Sequence, residues 1–368
     1  MRVLLDATAG ARPHLSGIGR YVHGIVTALA ALPEAPPFDL GVRFTKWKGR
    51  SLLPRATGGR ALKVRPLDDR LDWFLLRNVE LFHGLDVRIT RSKKPARLAT
   101  LHDVFSIERD DLATESFRTR KIEHYKRLAD EADAVICVSK ATEDGFHAAF
   151  PRARARTTVV HHGISEAFTR ADAQAIARVR ARNRLNAPFL LFVGLLSTRK
   201  NLVALLDAFA EIAKRRADLD LVLAGKESHG FEEIAAAIER HPFKGRVKRV
   251  GFVPDAELPA LYSAAELMVF PSLTEGFGLP VLEACACGTP VVASNLPVFR
   301  EIGGSELVVA DAKDPGSLAA AIVKTWETPI DDARRARLAA HAAQFTWQAA
   351  GRKTLQVWID ALAHRGKS

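Results

Sequence analysis

Apolar residues along this chain fall into two rhythms. In one, nearly every position is apolar for four to eight residues. "RVLLDAT" (2–8), "ARLATLHD" (96–103) and "DAVICVS" (133–139) are such runs in the first half. "FLLFVG" (189–194), "LDLVLAG" (219–225), "RVKRVGFV" (246–253), "ELMVFPS" (266–272) and "PVVAS" (290–294) follow in the second. Runs of this length predict strands buried on both faces of a parallel sheet. Between most of them apolar residues recur at helical spacing, as over 200–216 and 279–287. Strand–helix alternation of this kind predicts an α/β chain. The series is interrupted near 163–187. There "VVHHGISEAF" ends the first set of strands, and the charged helical stretch "RADAQAIARVRARNRL" precedes the next. Two Rossmann-like domains are therefore expected, over 1–165 and 166–345.

Composition agrees with two soluble domains. A chain of 368 residues exceeds one ordinary core. It is 48% hydrophobic and 26% charged, and no apolar run approaches the roughly 18 residues of a membrane span. "MRVLLDATAG" turns polar too soon for a signal peptide and reads as a first strand. The three cysteines, Cys137, Cys285 and Cys287, have no metal-ligand spacing and read as reduced core thiols. A cytoplasmic protein is expected.

Charge changes the picture more. The net charge is +12 and lies mostly in the first 160 residues, with 28 Lys and Arg against 19 Asp and Glu. A basic half calls for an anionic partner or simply keeps the protein in solution.

In doubly wound sheets ligands bind beyond the carboxyl ends of the strands. Residues just after each run are therefore the candidates. After the first strand comes "SGIGRYV", in which Gly17 and Gly19 open a helix whose amides can hold an anion. As a dinucleotide fingerprint it lacks the third glycine. His102 and Asp103 end the strand "ATLHD" and can hydrogen-bond a sugar or brace a loop. Ser139 and Lys140 read as a helix cap. His161 and His162 lack a third ligand, so no metal site is expected.

Arg199 and Lys200 in "STRKNL" place two cations where a helix begins, against its macrodipole. An arriving polyanion would remove that conflict, and both side chains suit phosphate. Glu275 stands in the turn "TEGFG", and Pro280 suits the first turn of the helix that follows. Glu283 interrupts the apolar helix "LPVLEACACG". A carboxylate buried there needs donors, which a vicinal diol supplies. Otherwise it faces solvent. Phosphate clamp, diol acceptor, second carboxylate and glycine amides together fit a nucleotide diphosphate carrying a sugar. No Walker loop is present.

"TEGFGLPVLEACACGTPVVAS" resembles the E-x7-E signature of the retaining glycosyltransferases of family 4, which have the GT-B fold. "SGIGRYV", "LHD", "CVSKAT", "STRKNL", "GFVPDAELPALYSAAELMVFPS" and "NLPVFREIGG" resemble further landmarks of that family, in its order. "FTWQAAGRKTLQVW" (345–358) is similar to its last helix, which crosses back onto the N-terminal domain. The resemblance implies two domains facing across a cleft, with 346–368 packed on the first. It implies that Glu275 contacts the donor sugar, with Gly276, Phe277, Gly278 and Leu279 beside it, and that Glu283 binds the ribose. Lys200, with Arg199, would neutralise the diphosphate. Gly17 or Gly19 would approach it, His102 and Asp103 would meet the sugar, and the backbone near Phe252 and Val253 would hold the base. One departure stands out: an arginine common five residues before the lysine is Leu195 here.

The expected reaction is transfer of a hexose, with mannose from GDP-mannose the leading donor, onto a glycan or lipid-linked acceptor of cell-surface polysaccharide or lipopolysaccharide synthesis. Retention is expected, with no metal and no cofactor beyond the nucleotide-sugar substrate. The basic stretches 43–65, which include Trp47, and 91–97 are expected to dock on anionic lipid at the inner face of the cell membrane. A same-fold epimerase or phosphorylase is the alternative. A nucleic-acid binder or nicotinamide dehydrogenase would leave Glu275 and Glu283 unexplained.

Overall fold

Only the middle of a sheet can bury consecutive apolar residues on both faces, and the most uniformly apolar runs become inner strands. The stretch 246–253, expected as a fully buried strand but broken by Arg and Lys, instead lies at a sheet edge with alternating burial. The computed structural model describes residues 2–365. The chain divides into two units, Met1–Gly163 with Phe345–Ser368, and Ile164–Gln344. The first turns on a sheet of seven parallel strands: β1 (Val3–Asp6), β2 (Phe38–Arg43), β3 (Val64–Leu67), β4 (Leu81–Gly84), β5 (Ala96–Leu101), β6 (Ala134–Cys137) and β7 (Arg156–Val159). Their order is β3-β2-β1-β4-β5-β6-β7. The second unit has six parallel strands: β8 (Phe189–Val193), β9 (Asp220–Ala224), β10 (Val247–Gly251), β11 (Leu267–Phe270), β12 (Val291–Ser294) and β13 (Val308–Ala310). Their order is β10-β9-β8-β11-β12-β13.

Both sheets thus have the Rossmann order, with the winding reversing between β1 and β4 in one and between β8 and β11 in the other. Four first-unit strands escape the sequence reading. β2, "FDLGVR", mixes charge and glycine, and β7, "RTTV", lies at an edge. β3 carries Pro66, which an edge strand tolerates because one side of its ladder is unused. β4 is short and contains His83.

His83 is completely buried, and its partners explain how the sheet accepts it. The Trp358 indole N–H donates to Nδ1 at 3.1 Å, which leaves the neutral ring's proton on Nε2. Nε2 lies 3.0 Å from the Thr100 hydroxyl, itself 2.8 Å from the Tyr21 hydroxyl. Burial, then the nearby His102, pushes the His83 pKa down to about 3. Trp358 belongs to the final helix, Trp347–Arg365, and meets Phe38 of β2 edge-on at 6.3 Å. A Cβ on Gly24 would overlap the Trp347 indole, so the helix Gly17–Ala31 receives that ring only because residue 24 is glycine. The last helix is therefore part of the first unit's core.

All three cysteines are free and buried. Burial pushes the thiols of Cys285 and Cys287 up to about 12, so both stay neutral core groups. Among the described residues no helix is long and apolar enough to cross a membrane.

Candidate donor site at the carboxyl ends of the second sheet

The second sheet's winding reverses between β8 and β11, and the loops leaving these strands carry the charged candidates. After β8 the chain forms a single turn, Thr198–Lys200, before the helix Leu202–Arg215. Asn201 joins them in a left-handed conformation (φ 55°), and its side-chain amide donates to the Ala312 carbonyl at 2.6 Å. That tether sets the direction of the preceding cations. Lys200 turns inward, is only 6% exposed, and rests with Nζ 4.4 Å from the Phe270 ring centroid.

After β11 the turn carries Glu275 into the same place. Lys200 Nζ donates to Glu275 Oε1, and Arg199 Nη1 lies 3.2 Å from Oε2. Arg199 also donates to the Thr274 carbonyl at 2.9 Å. The sequence reading kept the phosphate clamp and the sugar-binding carboxylate apart, whereas the structure joins them. Glu275 already relieves part of the clash between two cations and the helix macrodipole. One negative charge against two positive ones leaves the cluster net positive. Burial alone would raise the Glu275 pKa, but the charges of Arg199 and Lys200 outweigh it and hold the carboxyl at about 2. Glu275 is therefore ionised at neutral pH and is suited to accept hydrogen bonds, not to give a proton. Leu195, where an arginine was missed, is exposed, and Arg199 provides the second cation at Glu275.

Gly276, Phe277, Gly278 and Leu279 follow as a buried turn into the helix Leu279–Ala286. Gly278 has φ +96°, and a Cβ there would press on the Phe299 ring, so both backbone and packing require glycine. One turn on, Glu283 is 2% exposed and does not face solvent. The Tyr262 hydroxyl donates to its Oε2 at 2.9 Å, so the chain itself supplies one of the donors this carboxylate needs. Sequence reading missed Tyr262, whose only signal is a lone phenol in the apolar helix Leu258–Ala264.

Along the same edge, Gly225 follows β9, and a Cβ there would overlap the carbonyl of Gly194, which follows β8. Phe252 follows β10, is partly exposed, and has Lys226 Nζ 5.0 Å from its ring centroid. Val253 beside it is buried. An exposed ring, a cation and the Lys200–Glu275–Arg199 cluster thus lie along one sheet edge.

The remaining candidates belong to the first unit. His102 is buried after β5, and its Nε2 donates to the Leu85 carbonyl at 3.0 Å, leaving Nδ1 as an acceptor. Burial lowers its pKa although Asp86 and Asp103 pull the other way, so the ring is neutral at neutral pH. It packs edge-on to Tyr21 at 4.8 Å, and His162 stacks on the same ring. Asp103 accepts from the Tyr125 hydroxyl at 3.3 Å. Gly17 is open at the start of its helix, but the Gly19 amide is taken by the Ser16 side chain at 3.2 Å. Trp47, expected on a docking surface, instead packs partly buried against the core, with the Arg50 guanidinium 4.7 Å above it. Phe44 and Leu52 of the 43–65 stretch are exposed, and a second exposed apolar group lies further on at Leu71, Trp73 and Phe74. Among the described residues no group of three or more His, Cys, Asp and Glu side chains is placed to hold a metal.

Comparisons with known proteins follow the two units. Residues 15–168 match the family described as Glycosyltransferase Family 4, and residues 174–345 match Glycosyl transferases group 1. O-antigen chain mannosyltransferase B of Escherichia coli is 28% identical, over 96% of this chain and 99% of that protein. D-inositol 3-phosphate glycosyltransferase of Corynebacterium jeikeium (strain K411) is 30% identical, over 73% and 68%. The structure of sucrose-phosphate synthase from Thermosynechococcus elongatus superposes with a TM-score of 0.79 at 22% identity, over 99% and 100%. With both units matched and the strand orders as described, the chain belongs to the glycosyltransferases of family 4 and has their GT-B fold.

Proposed function

We propose that this enzyme moves a hexose from a nucleotide diphosphate sugar to a glycan or lipid-linked acceptor, with retention at the anomeric carbon and without a divalent metal. The observation that carries this reading is the Lys200–Glu275–Arg199 cluster at the strand ends of the second unit. When the bond from the anomeric carbon to the diphosphate oxygen breaks, negative charge builds on the leaving diphosphate. Lys200 and Arg199 are positioned cations for that charge, and the helix start after them adds its dipole. Ionised Glu275 accepts hydrogen bonds from the donor sugar's hydroxyls. The acceptor oxygen attacks from the face the diphosphate leaves, and its proton passes to a diphosphate oxygen. Glu283, held by Tyr262, serves the ribose, and Phe252 lies where the base would rest. Nδ1 of neutral His102 accepts from the transferred sugar.

GDP-mannose is the leading donor, and the match over nearly the full length to an O-antigen chain mannosyltransferase supports it, along with a role in lipopolysaccharide or polysaccharide synthesis. Nucleotide release from a panel of nucleotide sugars, with and without mannose-terminated acceptors and in excess chelator, tests the whole reading. The expected result is acceptor-stimulated GDP release and a product with the donor's anomeric configuration. An inverted product would overturn retention, chelator-sensitive release would overturn metal independence, and acceptor-independent conversion would favour an epimerase.

The acceptor side is expected at the inner face of the membrane of a cytoplasmic enzyme. Leu71, Trp73 (70% exposed) and Phe74, with Arg70 and Arg77 around them, join the basic 43–65 stretch, which exposes Phe44 and Leu52, as surface suited to an anionic bilayer. Co-sedimentation with vesicles containing phosphatidylglycerol should fall in Trp73→Ala and with added salt. Binding indifferent to both would remove this contact.

A further inference from the structure

The first unit has its own reversal point, between β1 and β4, and a cavity of about 110 Å³ lies there. Asp6, Thr8, Arg12, Lys46, Asp86 and Arg88 line it. Asp6 is the last residue of β1, and Asp86 lies two residues beyond β4. This is where a doubly wound sheet takes a ligand. Nothing in the donor-site reading uses it.

The two carboxylates each have a cation already. Asp6 accepts from Arg43 Nε at 3.1 Å and from the Thr8 hydroxyl at 2.5 Å. Asp86 lies 3.4 Å from Lys121 Nζ and accepts from the Val87 amide at 2.7 Å. Burial would raise the Asp86 pKa, but Lys121, with the Val87 amide and Arg88, outweighs it, so the carboxylate stays charged. Arg43 also pairs with Asp69. Arg12, Lys46 and Arg88 make no side-chain hydrogen bond or ion pair with any described residue. Four carboxylates (Asp6, Asp69, Asp72, Asp86) stand among six cations (Arg43, Lys121, Arg12, Lys46, Arg88, Arg91), which leaves an excess of two positive charges. Three long cationic side chains lining one small polar cavity, none hydrogen-bonded or ion-paired to a described residue, are arranged for a doubly charged anion.

We propose that this cavity binds a phosphoryl group carried by the acceptor, next to the sugar that is glycosylated. The proposal rests on the transferase reading above and deepens it by naming the acceptor's anionic class. Arg12 and Arg88 grip the phosphoryl oxygens as forks, and Lys46 adds a point charge. The cavity is small, so the accepting sugar extends outside it. The phosphoryl group belongs either to a soluble sugar phosphate or to a lipid-linked saccharide.

The test is titration calorimetry of the full chain with inorganic phosphate, comparing wild type, Arg12→Gln/Arg88→Gln, Lys46→Gln and Lys200→Ala. Phosphate affinity should fall about tenfold or more in the double variant, less in Lys46→Gln, and persist in Lys200→Ala. Equal affinity in wild type and double variant, or loss in Lys200→Ala alone, overturns the proposal. Equal melting midpoints guard against misfolding. Competition arms with glucose 6-phosphate and with vesicles carrying a polyprenyl phosphate separate the soluble from the lipid-linked source, and competition by neither overturns the acceptor assignment. A parallel titration with GDP and UDP tests the transferase reading by itself. If neither nucleotide binds while the double variant still loses phosphate, that reading falls and the anion site stands.

Discussion

The two sheets share one winding order yet solve the same electrostatic problem differently. In the second unit the reversal point is closed by an ion-paired cluster, with Lys200 and Arg199 on a single buried carboxylate. In the first unit the comparable carboxylates are shared out to Arg43 and Lys121, and the groups next to them are buried neutral histidines. One edge is built around charge held ready for a polyanion. The other combines cations lining a small cavity with buried rings that stay uncharged because water is excluded. The lesson is that strand order says where chemistry can sit, while the loop residues decide which charge state is held there.

The largest effect that would break this contrast is catalytic. Lys200→Ala should lower kcat by roughly 10²–10³, the usual result of removing one preorganised donor. Melting should show the protein still folded, with Glu275 keeping Arg199 as a partner. A folded variant with near-normal turnover would mean that the charged edge is structural only.

Acid separates the two units next. His83 has a folded pKa near 3, below its ordinary 6.5, so its contribution is present above pH 6.5 and lost as pH falls toward 3. Burial lowers His102 and His162 in the same direction. For His83 alone the loss between pH 7 and 5 is about 2 kcal/mol. Glu275, lowered to about 2 from 4.5, keeps its contribution above pH 4.5 and loses it only below. The first unit should therefore weaken in a window where the second does not. Four tryptophans, Trp47, Trp73, Trp347 and Trp358, lie in the first unit, and Trp326 lies in the second. Denaturant midpoints followed by fluorescence at pH 7 and 5 should fall for wild type, and a Trp326-only variant should show little change. Equal shifts in both would erase the distinction.

The smallest effect sharpens the second unit's interior. Tyr262→Phe removes a donor from buried Glu283 and should cost about 1–3 kcal/mol, read as a lower urea midpoint at unchanged slope. A modest rise in donor KM should accompany it. Unchanged stability would show that the tyrosine hydroxyl adds nothing to the carboxylate's other contacts.

The second unit was more legible than the first. "FLLFV" and "DLVLA" are long enough, and apolar enough, to be read as buried strands without knowing their neighbours. β4 was not, because its histidine is acceptable only when Trp358, 275 residues away in sequence, supplies a donor. The same limit applied to the site. Glu275 and Lys200 each stood out as charges in odd places, but their pairing spans 75 residues and no local pattern encodes it. Tyr262 and the Arg12–Lys46–Arg88 cavity went unread for the same reason. Trp47 was misplaced because a basic stretch with one aromatic looks the same whether the ring faces solvent or core.

By itself the sequence determined the alternation of strand and helix, the two-unit division, the motif order of the family and the identity of the charged residues at the strand ends. These follow from periodicity and from short-range chemistry. Tertiary structure alone decided which charges neutralise one another, which histidines stay neutral and where an excess of cations remains. Those outcomes depend on distance and burial between residues far apart in the chain, and a pKa is set by that surrounding volume, not by its neighbours in sequence.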